Sequence, residues 1–249
     1  MRQFGLIGYP LGHSFSKKYF AEKFQKEGIR ECAYENYPLQ HIGELPALLS
    51  AYPLLEGINV TIPYKQQVIP FLHDLSDAAA TVQAVNCIDL RHGNAKGYNT
   101  DVIGFEKSLL PLLTPYHTQA LVLGTGGAAR AVAYVLRKLN IAYEYVSRRK
   151  DPSHHICTYD ELDTAMMEQH TLIINTTPLG MYPQVNTFPD IPYDHLNETH
   201  LLYDLVYNPS ETLFLQKGAE RKAAVKNGHE MLILQAEASW EIWNDRLAQ

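Results

Sequence analysis

The chain has 249 residues, of which 46% are hydrophobic, and its formal net charge is −6. This length allows one large or two medium domains, and the hydrophobic content is sufficient for real cores, which excludes a disordered chain. Because there is no broad basic excess, the composition argues against a nucleic-acid or anionic-membrane surface.

Targeting and metal signals are absent from the sequence. Three cysteines, Cys32, Cys87 and Cys157, form no C-x-x-C pair and no zinc-ligand spacing, which favours free thiols in a reducing compartment and no bound metal. The chain enters an apparent strand at once and has no 18-residue apolar run. We therefore expect a soluble, cytoplasmic protein.

Strand and helix signals alternate along the first hundred residues. The predicted strands are 3–9, 32–39, 57–62 and a pair within 84–100 joined by a Gly-Asn turn. The predicted helices are 17–28, 41–51 and a third from about Lys65. Pro46 is expected to break the second of these helices. This alternation indicates an α/β unit with a mostly parallel sheet.

The pattern changes after Asp101. A helix is predicted at 102–113, and the polar, Pro-containing segment 114–118 marks a boundary. The remaining predicted elements are a strand, glycine turn and helix within 119–140, strands at 142–149, 171–177 and 201–207, and a long helix at 228–249. The sequence therefore predicts two α/β domains, the second with a nucleotide-binding turn.

The stretch GINVTIPYK, residues 57–65, combines an apolar and a polar strand face. Ile58, Val60 and Ile62 alternate with Asn59 and Thr61. An unpartnered buried amide or hydroxyl costs roughly 1–3 kcal/mol, so the polar face needs a partner in the protein or in a ligand.

Three glycines, Gly124, Gly126 and Gly127, separate a strand from a helix in LVLGTGGAARA, residues 121–131. Glycines permit a tight turn and close backbone approach, and the helix N-terminus offers unpaired N–H groups to a pyrophosphate. The motif departs from strict G-x-G-x-x-G, with Gly at 127 and Ala at 129, and a merely structural glycine turn is the alternative.

The following strand ends in Ser147, Arg148, Arg149 and Lys150, where an NAD-binding unit would carry an acidic residue. A guanidinium matches phosphate oxygens in a bidentate fork, so this end suits the 2′-phosphate of NADP. A solvated loop is the alternative, and the glycine turn one strand earlier favours NADP.

Polar residues at three other sites are ambiguous by themselves. GYPLGHSFS places Ser14 and Ser16 ahead of a predicted helix, where they could cap the helix or bind a carboxylate. Asp101 stands before the next helix, with capping as its alternative, and Asn86 lies in an apolar strand.

Together these motifs resemble one family. GYPLGHSFS, NVTIPYK, AVN, GYNTD, GTGGAARA, SRR, INTTPLGM, DLVYNPSETLFL and NGHEMLILQA occur in the order and spacing of the shikimate dehydrogenases, over nearly the whole chain. The resemblance implies NADPH-dependent reduction of 3-dehydroshikimate to shikimate, a step of chorismate and aromatic amino acid biosynthesis. It also implies a discontinuous substrate domain, 1–101 with 228–249, and a Rossmann-like NADP domain, 102–227, with the active site in the cleft between them.

The resemblance also assigns roles to residues. It implies Lys65 as the proton donor, held by Asp101. The implied substrate ligands are Ser14, Ser16, Asn59, Thr61, Asn86, Tyr207 and Gln235. The implied cofactor ligands are Gly124, Gly126, Gly127, Ala128, Ser147, Arg148, Arg149, Thr176, Gly228 and Met231. The chain departs from the family at Lys17, commonly Pro, at Thr125, commonly Ala, and at Ser147–Arg149, commonly Asn-Arg-Thr.

These expectations leave alternatives. A quinate-active or dual-specificity dehydrogenase differs in one substrate hydroxyl, and a non-enzymatic NADPH-binding regulatory module would keep the fold. Lys65 and Asp101 argue against the second. The expected partner is a small-molecule substrate, with no nucleic acid or membrane, and the expected state is a monomer or homodimer.

Overall fold

The computed structural model describes residues 1–12, 15–91, 93–154 and 156–246. The chain forms two compact units: unit 1 comprises Met1–Thr100 and the chain from Ala236 onward, and unit 2 comprises Asp101–Gln235. Both are α/β, as the sequence predicted. The substrate and cofactor domain boundaries given above remain a prediction.

Unit 1 contains one mixed sheet with helices around it. Its strands are β1 (Arg2–Gly8), β2 (Cys32–Pro38), β3 (Leu55–Val60), β4 (Asp74–Leu75), β5 (Cys87–Asp89) and β6 (Lys96–Tyr98). Its helices are α1 (Phe15–Lys26), α2 (Leu45–Ala51) and α3 (Asp77–Val82). The strand order is β2-β1-β3-β5-β6-β4, in which β5 is antiparallel to both of its neighbours. The carboxyl ends of β1 and β3 and the amino end of β5 therefore share one edge.

The last helix, α8 (His229–Ile242), begins in unit 2 and contributes to unit 1 from Ala236. Trp240 and Trp243 are buried there in a cluster with Phe4 and Phe20. The Trp243 ring stacks on Phe4 at 4.9 Å, and its indole N–H donates to the Ile88 carbonyl at 3.0 Å. These aromatic contacts make α8 part of the core of unit 1.

Unit 2 is built on a fully parallel sheet. Its strands are β7 (Gln119–Leu123), β8 (Ala142–Ser147), β9 (Ile156–Thr158), β10 (Leu172–Asn175), β11 (Leu201–Asp204) and β12 (Ala224–Lys226). Its helices are α4 (Thr100–Leu109), which starts at the last residue of unit 1, α5 (Gly127–Lys138), α6 (Thr164–Gln169) and α7 (Leu213–Glu220). The order β12-β11-β10-β7-β8-β9 is the doubly wound order of dinucleotide-binding folds. Its switch point lies between β7 and β10, beside the glycine turn.

Two local predictions were wrong. No α-helix starts at Lys65: turns lead into a short 3-10 helix at Ile69–Phe71, because Pro70 cannot donate the hydrogen bond that would continue a helix. Ile62 is not on a buried strand face but 74% exposed, because β3 ends at Val60 and the backbone turns back after Thr61.

Other elements differ less from expectation. Pro46 does not break α2 but lies in its first turn, where the missing N–H costs nothing. The pattern missed the short elements β4, α3, β9, α6, α7 and β12. Within the described ranges, no helix has the length and apolarity needed to span a membrane.

Candidate active site

The polar strand ends of unit 1 meet at one edge of its sheet. The Thr61 amide donates to Ile7 at 2.9 Å, and the Val60 amide donates to the Asn86 carbonyl at 2.9 Å. The Lys65 carbonyl accepts from the Val85 amide at 2.7 Å, which fixes the turn after β3 beside β5. Thr61 and Lys65 are both half-buried at this edge.

Asn59 finds its partners within the protein. It is buried, its Oδ1 accepts from the Tyr34 hydroxyl at 2.8 Å, and its Nδ2 donates to the Asn86 carbonyl at 3.1 Å and to Ser239 Oγ at 2.9 Å. Both amide protons are used. This arrangement suits a residue that supports the pocket, while direct contact with a substrate remains a prediction.

Asn86 holds the start of α4. Its Oδ1 accepts from the Thr100 amide at 2.6 Å, and its Nδ2 donates to Thr100 Oγ1 at 3.0 Å. Both residues are buried. Asn86 thereby satisfies one of the amides that a helix leaves unpaired at its N-terminus.

Asp101 is the second residue of α4 and is half-buried. A carboxylate in the first turn is stabilised by the unpaired amides and the helix dipole. Because Asn86, directly before β5, holds Thr100, it also restrains the backbone of Asp101. The pairing of Asp101 with Lys65 remains a prediction.

The predicted carboxylate-binding serines lie around the start of α1. Ser14 is outside the described residues, whereas Ser16 is the second residue of α1 and is half-buried. The Ser16 hydroxyl is hydrogen-bonded to the buried Tyr34 phenol. Ser16 is thus joined to Asn59 through one side chain.

The two predicted substrate ligands from the second half of the chain are in unit 2. Tyr207 follows β11 and is 39% exposed. Gln235 lies on α8, is half-buried, and donates from Nε2 to the Leu232 carbonyl at 2.9 Å. Their contact with the same substrate as Lys65 remains a prediction.

The glycine turn of unit 2 has space for a phosphate. Gly124 has φ +104°, a conformation that favours glycine, and an added Cβ there would lie 2.8 Å from Thr176 Oγ1. At Gly126 and Gly127 an added Cβ would meet no atom within 4 Å, and both glycines are exposed with Ala128. The N-terminus of α5 therefore faces an open cradle that fits a dinucleotide pyrophosphate.

The end of β8 is cationic. Ser147 is the last residue of the strand, and the exposed Arg148 and Arg149 follow it. Lys150 forms an ion pair with Glu161, and the Glu161 carboxylate therefore neutralises the charge of Lys150. The strand itself ends on Ser147 rather than on a carboxylate, which fits a phosphorylated ribose better than a bare one.

The remaining predicted cofactor residues have structural contacts in unit 2. Thr176 donates to the Leu123 carbonyl at 2.6 Å, beside the glycine turn. At Gly228 an added Cβ would lie 2.1 Å from the Leu205 carbonyl oxygen, so the glycine is required by this close backbone approach. Met231 is buried on α8. Their cofactor contacts remain predictions.

Sequence analysis missed a buried carboxylate at the carboxyl end of β11. Asp204 Oδ1 accepts from Asn175 Nδ2 at 2.9 Å and from the Val206 amide at 3.0 Å, and Oδ2 accepts from Thr212 at 2.6 Å. Burial raises the pKa of Asp204 from 3.8 to about 6, although these hydrogen bonds oppose the shift. The motifs INTT and DLVYNPSET contain these residues, but nothing local in them signals a buried acid.

The fold of unit 2 and its open glycine turn define a dinucleotide-binding α/β protein, and comparisons with known proteins specify the family. The model of the shikimate dehydrogenase substrate binding domain matches residues 6–88. Shikimate dehydrogenase (NADP(+)) of Clostridium beijerinckii is 40% identical over 256 residues, which cover 98% of this chain and 93% of that protein. The chain belongs to the shikimate dehydrogenase family.

Solved structures agree over the whole chain. The chorismate mutase/shikimate 5-dehydrogenase fusion protein of Clostridium acetobutylicum is 34% identical with a TM-score of 0.87, covering 100% of this chain and 93% of that one. Shikimate 5-dehydrogenase of Thermus thermophilus, in complex with NADP(H) and shikimate, is 28% identical with a TM-score of 0.85, covering 100% and 95%. The two-unit fold is therefore that of shikimate dehydrogenases.

Proposed function

We propose that this protein catalyses the reversible, NADPH-dependent reduction of 3-dehydroshikimate to shikimate, a step of chorismate and aromatic amino acid biosynthesis. One observation carries the proposal: a single chain of this family combines the polar sheet edge of unit 1 with the open phosphate cradle of unit 2. The structure in complex with NADP(H) and shikimate from Thermus thermophilus supports both ligands.

The substrate would bind at the edge of unit 1. In this proposal Thr61, Lys65 and Asn86 hold its hydroxyl groups, and Ser14 and Ser16 hold its carboxylate. Tyr207 and Gln235 complete the site, and Asn59 supports it from the protein interior.

Reduction of a ketone leaves negative charge on its oxygen, and that oxygen needs a proton. Lys65 is the proposed donor, because an ammonium group both stabilises the developing charge and supplies a proton. Asp101 would orient Lys65 by a charge-assisted hydrogen bond and accept one from a substrate hydroxyl. The first turn of α4 holds this carboxylate in place through Thr100 and Asn86.

NADPH, when bound, supplies the hydride. The proposed pyrophosphate ligands are the amides of Gly126, Gly127 and Ala128 at the start of α5. Ser147, Arg148 and Arg149 would bind the 2′-phosphate. Thr176, Gly228 and Met231 are proposed to line the nicotinamide end.

The surroundings of the enzyme are also proposals. We expect a cytoplasmic enzyme that acts as a monomer or homodimer. The three cysteines are free, in agreement with a reducing compartment.

A substrate-by-cofactor matrix tests the function. Shikimate and quinate are each offered with NADP and with NAD, and absorbance of the reduced nicotinamide is followed. We expect the highest kcat/KM for shikimate with NADP. Faster turnover of quinate would contradict the substrate assignment, and no turnover of either would indicate a binding module.

A further inference from the structure

A buried hydrogen-bond network in unit 1 connects β2, β3, α8 and the start of α4. Tyr34 donates to Asn59 Oδ1 at 2.8 Å, Asn59 Nδ2 donates to Ser239 Oγ at 2.9 Å, and Ser239 Oγ lies 3.3 Å from Thr100 Oγ1. All four residues are buried, and Ser239 and Thr100 are 0% exposed. The hydrogen bonds of this network therefore extend to α4 without competition from water.

The donor and acceptor roles in this network follow from the backbone carbonyl of Asn86. Asn59 Nδ2 faces the Asn86 carbonyl at 3.1 Å, which can only accept, so the orientation of the Asn59 amide is fixed. Ser239 must then accept the second amide proton, and its own proton can be donated to Thr100, with the Cys87 thiol as a weaker partner beside it. The Thr100 hydroxyl lies 3.2 Å from Asn86 Oδ1, which can accept its proton.

The buried network holds the first turn of α4 in place. Thr100 is held by Asn86, which directly precedes β5, and by Ser239 of α8. Asp101 follows Thr100 directly, so the contacts of Thr100 restrain the backbone that carries Asp101. Removing Ser239 Oγ would remove the contact from the α8 side alone.

Ser239, together with the neighbouring buried Trp240, restrains the rotation of α8 about its own axis. Gln235 precedes it by four residues, so the two side chains lie on the same face of the helix. The hydrogen bond from the Asn59 amide to Ser239 contributes to the direction of that face. The orientation of Gln235 therefore depends on a hydrogen bond made one turn later.

We propose that Ser239 is a positioning residue for the reaction, which sets the place of Asp101 through Thr100 and the direction of Gln235 through α8. The inference rests on the proposed function. Ser239 is not assigned a contact with the substrate, and its effect passes through these two residues. A small displacement of groups that orient a substrate is costly in rate, and we expect about a tenfold loss of kcat/KM when the hydroxyl is removed.

The test compares Ser239→Ala with a matched serine. Ser108 is also buried, near the end of α4 and about two turns after Asp101, and its hydroxyl bonds to Tyr203 and Gly104 in unit 2 rather than to the buried network. Ser108→Ala therefore controls for the loss of a buried hydroxyl. Thr100→Val removes the same link from the other side, but together with the Thr100 Oγ1 bonds to Asn86. Ser239→Cys weakens the Ser239 link alone and therefore replaces Ser239→Ala if that variant fails to fold.

Two readouts are needed. Steady-state kinetics should show a lower kcat and a higher KM for shikimate in Ser239→Ala, with the KM for NADP unchanged. Amide hydrogen exchange should be faster at residues 99–102 in Ser239→Ala than in the unmodified protein. Ser108→Ala should change neither readout.

The outcomes separate the inference from the proposed function. If the unmodified protein does not oxidise shikimate, the function fails, while the exchange experiment still tests the restraint of α4. If it does, kcat/KM within twofold of the unmodified protein in Ser239→Ala, or an equal loss in Ser108→Ala, overturns the role of Ser239. Unchanged exchange at residues 99–102 overturns it as well.

Discussion

Replacement of Asp204 by Asn should change how the stability of unit 2 depends on pH. Asp204 is 0% exposed, and burial raises its pKa from 3.8 to about 6. A shift of about two units corresponds to roughly 3 kcal/mol. Because the folded-state pKa is the higher one, this contribution to stability is fully present below about pH 4 and is lost as the pH rises through about 6.

Only part of this change in the free energy of unfolding falls within the pH range that can be measured. Integration between the two pKa values gives a loss of roughly 1.4 kcal/mol between pH 5 and pH 8. An Asn side chain does not titrate. Its Oδ1 can keep the bonds from Asn175 and Val206, and its Nδ2 can donate to the Thr212 hydroxyl.

Urea denaturation of both proteins at pH 5, 7 and 8 measures the effect. Circular dichroism is the appropriate signal, because Trp240 and Trp243 both lie in unit 1 and their fluorescence reports that unit. Stability of Asp204→Asn relative to the unmodified protein should rise by roughly 1.4 kcal/mol from pH 5 to pH 8. The exposed Asp160→Asn controls for the loss of one charge. A constant difference between Asp204→Asn and the unmodified protein at all three pH values would refute the reasoning.

Four further predictions concern the site and its support. Lys65→Ala should lower kcat by about 10²–10⁴-fold with little change in the KM for shikimate, and near-normal turnover would remove Lys65 from the mechanism. Arg148→Ala should narrow the preference for NADP over NAD, measured as a ratio of kcat/KM values, and an unchanged ratio would argue against a phosphate contact. Gln235→Ala should weaken shikimate binding and leave NADP binding unchanged in titrations, and the reverse pattern would contradict its assignment. Gly228→Ala should lower the free energy of unfolding by more than about 2 kcal/mol, because its Cβ would lie 2.1 Å from a backbone oxygen, and equal stability would show that the Leu205 segment yields easily.

Local patterns predicted the α/β fold and the glycine turn because their signals lie within a few residues of one another. The region after Lys65 shows the limit of such patterns. Its residues are compatible with a helix, but Pro70 and the turn after Thr61 leave room for little more than one turn of 3-10 helix. Short elements such as β12 depend on a neighbouring strand and have no periodicity of their own.

The supports of the site could not be predicted for a different reason. The sequence showed that Asn59 needed a partner, but its partners Tyr34, Asn86 and Ser239 are 25, 27 and 180 residues away along the chain. Asp204 likewise depends on an amide 29 residues distant. Such contacts form only when folding brings distant segments together. The sequence pattern therefore indicated that Asn59 needs a hydrogen-bond partner without indicating which residues supply it.

The contribution of α8 to the core of unit 1 has a consequence for biosynthesis. During translation, residues 1–100 leave the ribosome first, but their core still lacks the two tryptophans supplied near residue 240. All residues of unit 2 have been synthesised by position 235, before the last residues of unit 1. The nascent chain would therefore complete its two units in the reverse of the order in which they begin.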